Sequence, residues 1–77
     1  MILTKLPSGH HGFNGRPAYK LVAERREEMH LSKGKFAVLH GIDRASQYRF
    51  EAGKNKSLEL TVTELNAVGF SVAIFVL

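Results

Sequence analysis

Basic side chains are concentrated in one part of this 77-residue sequence, between Lys33 and Lys56. Six of the eleven Lys and Arg residues lie there, beside only two acidic residues, Asp43 and Glu51. Lys and Arg bind phosphates, and Arg also recognises planar groups such as guanine through two parallel hydrogen bonds. By itself such a run is more often an ordinary solvated face, so its meaning depends on the elements that position it.

Side chains for other chemistry are poorly arranged. The sequence contains no Cys, which excludes disulfides, thiolate metal sites and a cysteine nucleophile. His10 and His11 are adjacent in a glycine-rich stretch and lack the i, i+4 spacing of a helical zinc site. Glu24, Glu27 and Glu28 alternate with Arg, a pattern typical of surface ion pairs. We therefore predict no catalytic residues, no metal and no cofactor.

The overall composition indicates a small, basic, globular protein. The chain has a mass of 8.6 kDa, a net charge of +4 and a pI near 9.8. This excess of positive charge favours an anionic partner, with nucleic acid as the first candidate. Because no apolar run approaches the roughly 20 residues of a membrane helix and no secretory signal is evident, we expect a cytoplasmic protein without membrane contact.

Four helices are predicted between an N-terminal arm and a C-terminal strand. Their expected ranges are 17–30, 33–40, 44–52 and 58–68, and Pro17 suits the first helical position. The last three helices each follow a residue that can act as N-cap, namely Ser32, Asp43 and Ser57. The predicted core consists of Leu21, Val22, Phe36, Ala37, Leu39, Ile42, Phe50, Leu58, Val62 and Leu65.

The two ends of the chain flank this helical domain of residues 17–69. Residues 1–16 are predicted to form an arm or strand over 2–6 and then a loop rich in Gly, from Pro7 to Gly15. Residues 70–77 are uncharged, β-branched and aromatic, which predicts a strand that needs a partner.

Two short helices joined by a tight turn between Ser32 and Gly53 describe a helix-turn-helix. The runs that carry a closer resemblance are Arg26-Glu27-Glu28-Met29-His30-Leu31-Ser32, Phe36-Ala37, Leu39-His40-Gly41-Ile42-Asp43-Arg44 and Arg49-Phe50-Glu51-Ala52-Gly53-Lys54. They resemble the Cro/CI-type (XRE) family of DNA-binding domains. The tail, from Ser57-Leu58 to Val68-Gly69-Phe70 and the strand after it, is similar to the branch of HipB-like antitoxins and small repressors.

The resemblance implies a mainly α fold and specific roles for single residues. The fold would be a lambda-repressor-like domain of four to five helices, with a C-terminal strand, and optionally an N-terminal one, in an intermolecular sheet. Side chains expected to contact DNA bases are Arg44, Ala45, Ser46 and Arg49. Side chains expected to contact phosphates are Lys33, Tyr48, Lys54 and Lys56.

The same resemblance predicts how the third helix is held. Glu51 is expected to pair with an Arg of the first helix, which we take to be Arg26. Gln47 departs from the family pattern, because an apolar residue is usual at its position. Two alternatives remain open there: Tyr48 takes over some of the packing, or Gln47 is partly buried and hydrogen-bonded.

The implied function is sequence-specific binding of double-stranded DNA by a transcriptional repressor, the autoregulating antitoxin of a toxin–antitoxin operon. Its partners would be a palindromic operator, a second copy of the chain and, as an open possibility, a cognate kinase-like toxin. The protein would then be associated with the nucleoid. Two alternatives are a module that neutralises a toxin or regulator without reading DNA, and a phage or plasmid repressor without a toxin.

The C-terminal strand is predicted to hold the homodimer by antiparallel pairing with its own copy. The interface face of that strand consists of Phe70, Val72, Ile74 and Val76. In the competing arrangement this strand folds back on its own chain, pairs with residues 2–6 and leaves a monomer. For the arm itself, pairing with the C-terminal strand is favoured over contact with DNA.

Overall fold

The N-terminal residues of the computed structural model, which describes residues 1–73, form a small antiparallel sheet. Its strands are β1 (Thr4–Lys5), β2 (His11–Phe13) and β3 (Arg16–Pro17), in the order β1-β2-β3. The predicted strand over 2–6 therefore has partners close by in sequence. The predicted loop from Pro7 to Gly15 is wrong for residues 11–13, which form the central strand of the sheet and pair with β1 and β3.

A two-residue turn at Asn14 and Gly15 joins β2 to β3. Both residues have positive φ, 52° and 77°, as a type I′ hairpin turn requires. Gly12 in β2 is also required, because a Cβ there would collide with the carbonyl oxygen of Arg16. The glycines of this segment thus build a hairpin, although their density in the sequence indicated a loop.

Four helices follow, within two residues of their predicted bounds: α1 (Ala18–Glu28), α2 (Lys33–Leu39), α3 (Arg44–Glu51) and α4 (Leu58–Ala67). The three predicted N-caps are confirmed. Side-chain oxygens of Ser32, Asp43 and Ser57 each accept a hydrogen bond from the backbone N–H three residues later. In residues 1–73 no helix combines the length and the apolar character that crossing a bilayer demands.

The hydrophobic core joins the N-terminal arm to all four helices. It consists of Leu3, Ala18, Val22, Phe36, Phe50, Leu65 and Val68. The prediction for Leu39 is wrong, since its side chain is 65% exposed. In the short helix α2 the buried side is centred on Phe36 and Ala37, and the 3.6-residue turn carries Leu39 away from it.

The segment after α4 returns to the N-terminal arm of the same chain. Ile2 and Ala73 form a parallel bridge, in which the Ala73 N–H donates to the Met1 carbonyl at 2.8 Å and the Ala73 carbonyl accepts from the Leu3 N–H at 3.3 Å. Phe70 and Val72 are half-buried and pack against the core. This pairing is the one favoured above for the arm, and it is also the pairing of the competing arrangement in which the C-terminal strand folds back on its own chain. Among residues 70–73 only Ala73 forms a bridge of this kind. The predicted interface residues Ile74 and Val76 lie outside the described residues.

Candidate nucleic-acid interface

A tight turn sets α3 immediately after α2. Gly41 has a φ of 66°, a conformation in which L side chains are strained. The next residue, Ile42, donates its N–H to the Ala37 carbonyl at 2.8 Å and packs its side chain against the core. The Asp43 carboxylate then caps α3. Turn and cap together fix the point at which α3 begins.

One side of α3 faces solvent and carries the predicted contact residues. Arg44, Ala45, Tyr48 and Arg49 are exposed, at the i, i+1, i+4, i+5 spacing of a single helix side. Ser46 lies at the edge of this face, half-buried, with its N–H donating to the Asp43 carboxylate at 3.1 Å. We call Arg44, Ala45, Tyr48 and Arg49 the α3 face.

The lysines predicted to contact phosphate differ in their surroundings. The Lys33 ammonium lies 5.1 Å from the centre of the Tyr48 ring, so the start of α2 contacts the α3 face. Lys54 is exposed just after α3. Lys56 is exposed too, but its ammonium donates to the Ser8 carbonyl at 2.7 Å. Lys33 and Tyr48 are therefore brought together, whereas Lys56 is directed toward the N-terminal arm.

A buried ion pair holds α3 from behind. The Arg26 Nε and Nη2 atoms each donate to a carboxylate oxygen of Glu51 at 2.8 Å, and Nη1 donates to the Leu31 carbonyl at 2.7 Å. The side chains are only 8% and 3% exposed. Hydrogen bonding to Glu51 raises the pKa of Arg26 above its already high ordinary value, so the guanidinium stays charged. The predicted Arg26–Glu51 pair is confirmed.

Gln47 extends this pair into the interior. Its side chain is fully buried and its Nε2 donates to Glu51 Oε2 at 2.7 Å. Of the two alternatives at this position, burial with a hydrogen bond is the one observed, and Tyr48 remains exposed. The inner side of α3 is thus polar at Gln47 and apolar at Phe50, and both residues are buried.

Sequence reasoning missed a buried carboxyl group, Glu64 of α4. It is fully buried, and within residues 1–73 neither of its oxygens has a hydrogen-bond partner, nor has Oε1 of Gln47. Burial, aided by the nearby Glu51 charge, raises the pKa of Glu64 to about 7. The signal was its spacing with Thr61, Leu65 and Val68, which share the buried side of the helix.

The N-terminal arm packs beside the loop that follows α3. His10 Nε2 lies 2.7 Å from the Gly53 carbonyl, which requires a proton on that nitrogen, and Nδ1 lies 2.8 Å from Ser8 Oγ. The His10 ring also contacts Tyr19, with ring centres 4.9 Å apart. His10 is half-buried and fastens the arm to the chain after α3.

Comparisons with protein-family models, with curated proteins and with solved structures find no match to this chain. Fold and site together define a small, mainly helical domain with a three-stranded N-terminal sheet. Its α3 presents Arg44 and Arg49 on one exposed side and is anchored on the other side by Glu51.

Proposed function

We propose that the protein is a transcriptional repressor of the helix-turn-helix type that binds double-stranded DNA in a sequence-specific manner. In this proposal α2, the Gly41 turn and α3 are the helix-turn-helix, and α3 enters the major groove. The observation that carries it is the α3 face, where two arginines stand exposed on a helix whose opposite side is fixed by a buried ion pair. Rigid positioning is what base recognition requires, because a bidentate contact tolerates little movement.

The chemistry of the α3 face suits the edges of base pairs. Arg44 and Arg49 can each donate two parallel hydrogen bonds to guanine, and the Ala45 methyl can contact a thymine methyl. Ser46 can reach a base only from the edge of the face, because its N–H and hydroxyl contact Asp43. The resulting assignment makes the two arginines the main source of sequence preference.

Backbone contacts surround this reading surface. Lys33 at the start of α2 lies over the Tyr48 ring of α3, and Lys54 follows α3, so all three can contact phosphates on either side of the groove. Lys56 can do so only if it leaves the Ser8 carbonyl. Between Lys33 and Lys56 the acidic side chains are both engaged, Asp43 as a cap and Glu51 with Arg26, which leaves the cations dominant.

We expect Arg44→Ala and Arg49→Ala each to weaken binding to the specific site by about 1–3 kcal/mol and to relax base preference there. Site selection from a random duplex library supplies that site, and fluorescence anisotropy measures affinity for it and for scrambled duplex. Lys54→Ala should weaken both duplexes alike and flatten the dependence of affinity on salt, because it removes a phosphate contact.

Lys20→Ala is the control, since Lys20 is an exposed cation of α1, outside the proposed surface. It should alter neither the selected site nor its affinity beyond a small electrostatic change. Wild-type affinity in both arginine variants would show that the docking is wrong. If no site is enriched and duplex binding does not vary with salt, DNA recognition itself is wrong.

The proposal includes a homodimer, which lets two copies of α3 read a palindromic site about 34 Å apart. Ala73 uses both its N–H and its carbonyl on the N-terminal arm. In an extended backbone neighbouring residues direct their polar groups to opposite edges, so the proposed dimer would pair through the N–H and carbonyl of Val72. The autoregulating antitoxin, with a kinase-like toxin as partner, is the biological setting that we propose from the family resemblance.

Sedimentation at micromolar concentration is expected to give twice the 8.6 kDa mass of one chain. Ile74→Lys should return the protein to the mass of one chain and abolish binding to the palindrome, since a charge within a paired apolar strand is unfavourable. Circular dichroism of the same variant should retain its helical signal. A wild-type protein that sediments as a single chain at this concentration contradicts the dimer.

A further inference from the structure

The last turn of α2 exposes two neighbouring apolar side chains beside the α3 face. Val38 is 64% exposed, and Leu39 next to it is exposed to a similar degree. Together with Lys35 and Arg44 they line a shallow depression of about 340 Å³. The same helix buries Phe36 and Ala37 but leaves these two branched side chains in water. Neighbouring apolar side chains exposed in this way indicate an interaction surface. We call these four residues the α2 patch.

Two cations flank the apolar part of the α2 patch, and none of the acidic side chains in the described part of the chain lines it. Within residues 1–73 neither Lys35 nor Arg44 forms an ion pair. A second copy seated on this patch about a two-fold axis would bring Lys35 and Arg44 against the same cations of its partner, which is unfavourable. Phosphates would satisfy the cations but would leave Val38 and Leu39 in water.

We propose that the α2 patch docks an acidic segment of another protein, with a large apolar side chain over Val38 and Leu39 and carboxylates at Lys35 and Arg44. This occupant matches both the apolar centre and the charged rim, the usual arrangement of a protein interface. Since Arg44 also belongs to the α3 face, the docked segment excludes DNA from that arginine. This competition rests on the proposed function, whereas the docking itself does not.

The proposal is tested by selecting peptides that bind the full chain from a random library. Peptides that also bind the double variant Val38→Ser, Leu39→Ser are removed by counter-selection. Both side chains are exposed, so the double variant keeps the core intact. Enriched peptides are expected to combine a large apolar residue with flanking Asp or Glu. Affinity of a synthetic peptide of that sequence should fall about tenfold or more in the double variant and in Lys35→Glu.

Met29→Ser is the matched control, because Met29 is an exposed apolar residue outside the α2 patch, and peptide affinity should not change. The double variant should bind the selected duplex as the wild type does, and the peptide should displace that duplex from the wild type. Peptide binding without any duplex binding would leave the docking surface standing and remove the proposed function.

Three results would overturn the proposal. The first is that no peptide distinguishes the wild type from the double variant, or that the enriched peptides carry no acidic bias. The second is loss of duplex affinity in the double variant, which would make Val38 and Leu39 part of the DNA contact. The third is a change of sedimenting mass in the double variant, which would assign the patch to a second copy of the chain.

Discussion

Arg26→Ala is expected to lower the free energy of unfolding by about 3–5 kcal/mol, the cost of breaking a buried ion pair by removing one partner. The substitution leaves the Glu51 carboxylate buried without its cation and removes the donor to the Leu31 carbonyl. A domain of this size is stabilised by only about 5–15 kcal/mol in total, so the variant should be partly unfolded at moderate temperature. Urea unfolding followed by circular dichroism measures the loss.

Arg16→Ala is the control that shows whether the loss of stability comes from burial of the ion pair or from its short distance. The Arg16–Glu24 pair has a similarly short distance, 2.7 Å, but its side chains are 54% and 57% exposed. Exposed pairs contribute about 1 kcal/mol or less, because water screens them and compensates for their loss. Similar losses in both variants would contradict the assignment of Arg26 as the anchor of α3.

Replacing both members of the pair should cost less than the sum of the single changes. In the double variant Arg26→Met, Glu51→Met no charge is left buried, and apolar side chains of similar size can fill the space. The residual loss then reports two other hydrogen bonds, because the Gln47 Nε2 loses its acceptor and the Leu31 carbonyl loses its donor. Pairs in direct contact typically show coupling of about 0.5–3 kcal/mol in such cycles.

The helices could be predicted closely because their boundaries are coded locally. A side-chain oxygen at Ser32, Asp43 or Ser57 satisfies a free N–H of the turn that follows it. Gly41 and Gly53 adopt positive φ where the chain leaves a helix. These signals act over three or four residues, so no knowledge of the distant chain is needed to read them.

The N-terminal sheet could not be read by the same means. Its strands have two or three residues, too few to show the alternation of apolar and polar side chains that marks a strand. The Asn14-Gly15 pair was a usable hairpin signal, since both residues tolerate the positive φ of a type I′ turn. Composition favoured a loop because Gly, Ser and Asn serve loops and hairpins alike.

Exposure and burial of side chains near the candidate site could be predicted where they depend on one helix. They were missed where they depend on how several helices pack together. Exposure of Arg44 and Arg49 on one side of α3 follows from helical spacing alone. The exposure of Leu39 and the burial of Glu64 depend on how α2 and α4 are rotated against their neighbours. Rotation is decided by tertiary packing, which the residues of a single helix do not determine.

Glu64→Gln is expected to stabilise the protein above neutral pH, by up to about 3 kcal/mol at pH 8. Burial raises the pKa of Glu64 from 4.5 to about 7, so the folded protein binds a proton that the unfolded chain has already lost. Stability from this group is complete below pH 4.5, falls as pH rises and is lost above about 7. A glutamine does not titrate, and its amide can donate to Oε1 of Gln47.

Urea unfolding between pH 5 and 8 gives the difference in stability between Glu64→Gln and the wild type, in which titration of all other groups cancels. That difference should increase with pH in favour of the variant. The charges that face Glu64 are the Glu51 carboxylate and its partner Arg26, and they are the same in both proteins. Glu59→Gln is the control, because it removes a carboxylate from the same helix at an exposed position. A constant difference for Glu64→Gln would mean that the carboxylate is ionised and hydrated in the folded protein. In that case α4 must open enough to admit water beside Gln47, and the packing of α3 against α4 would be looser than the buried, unpartnered oxygens indicate.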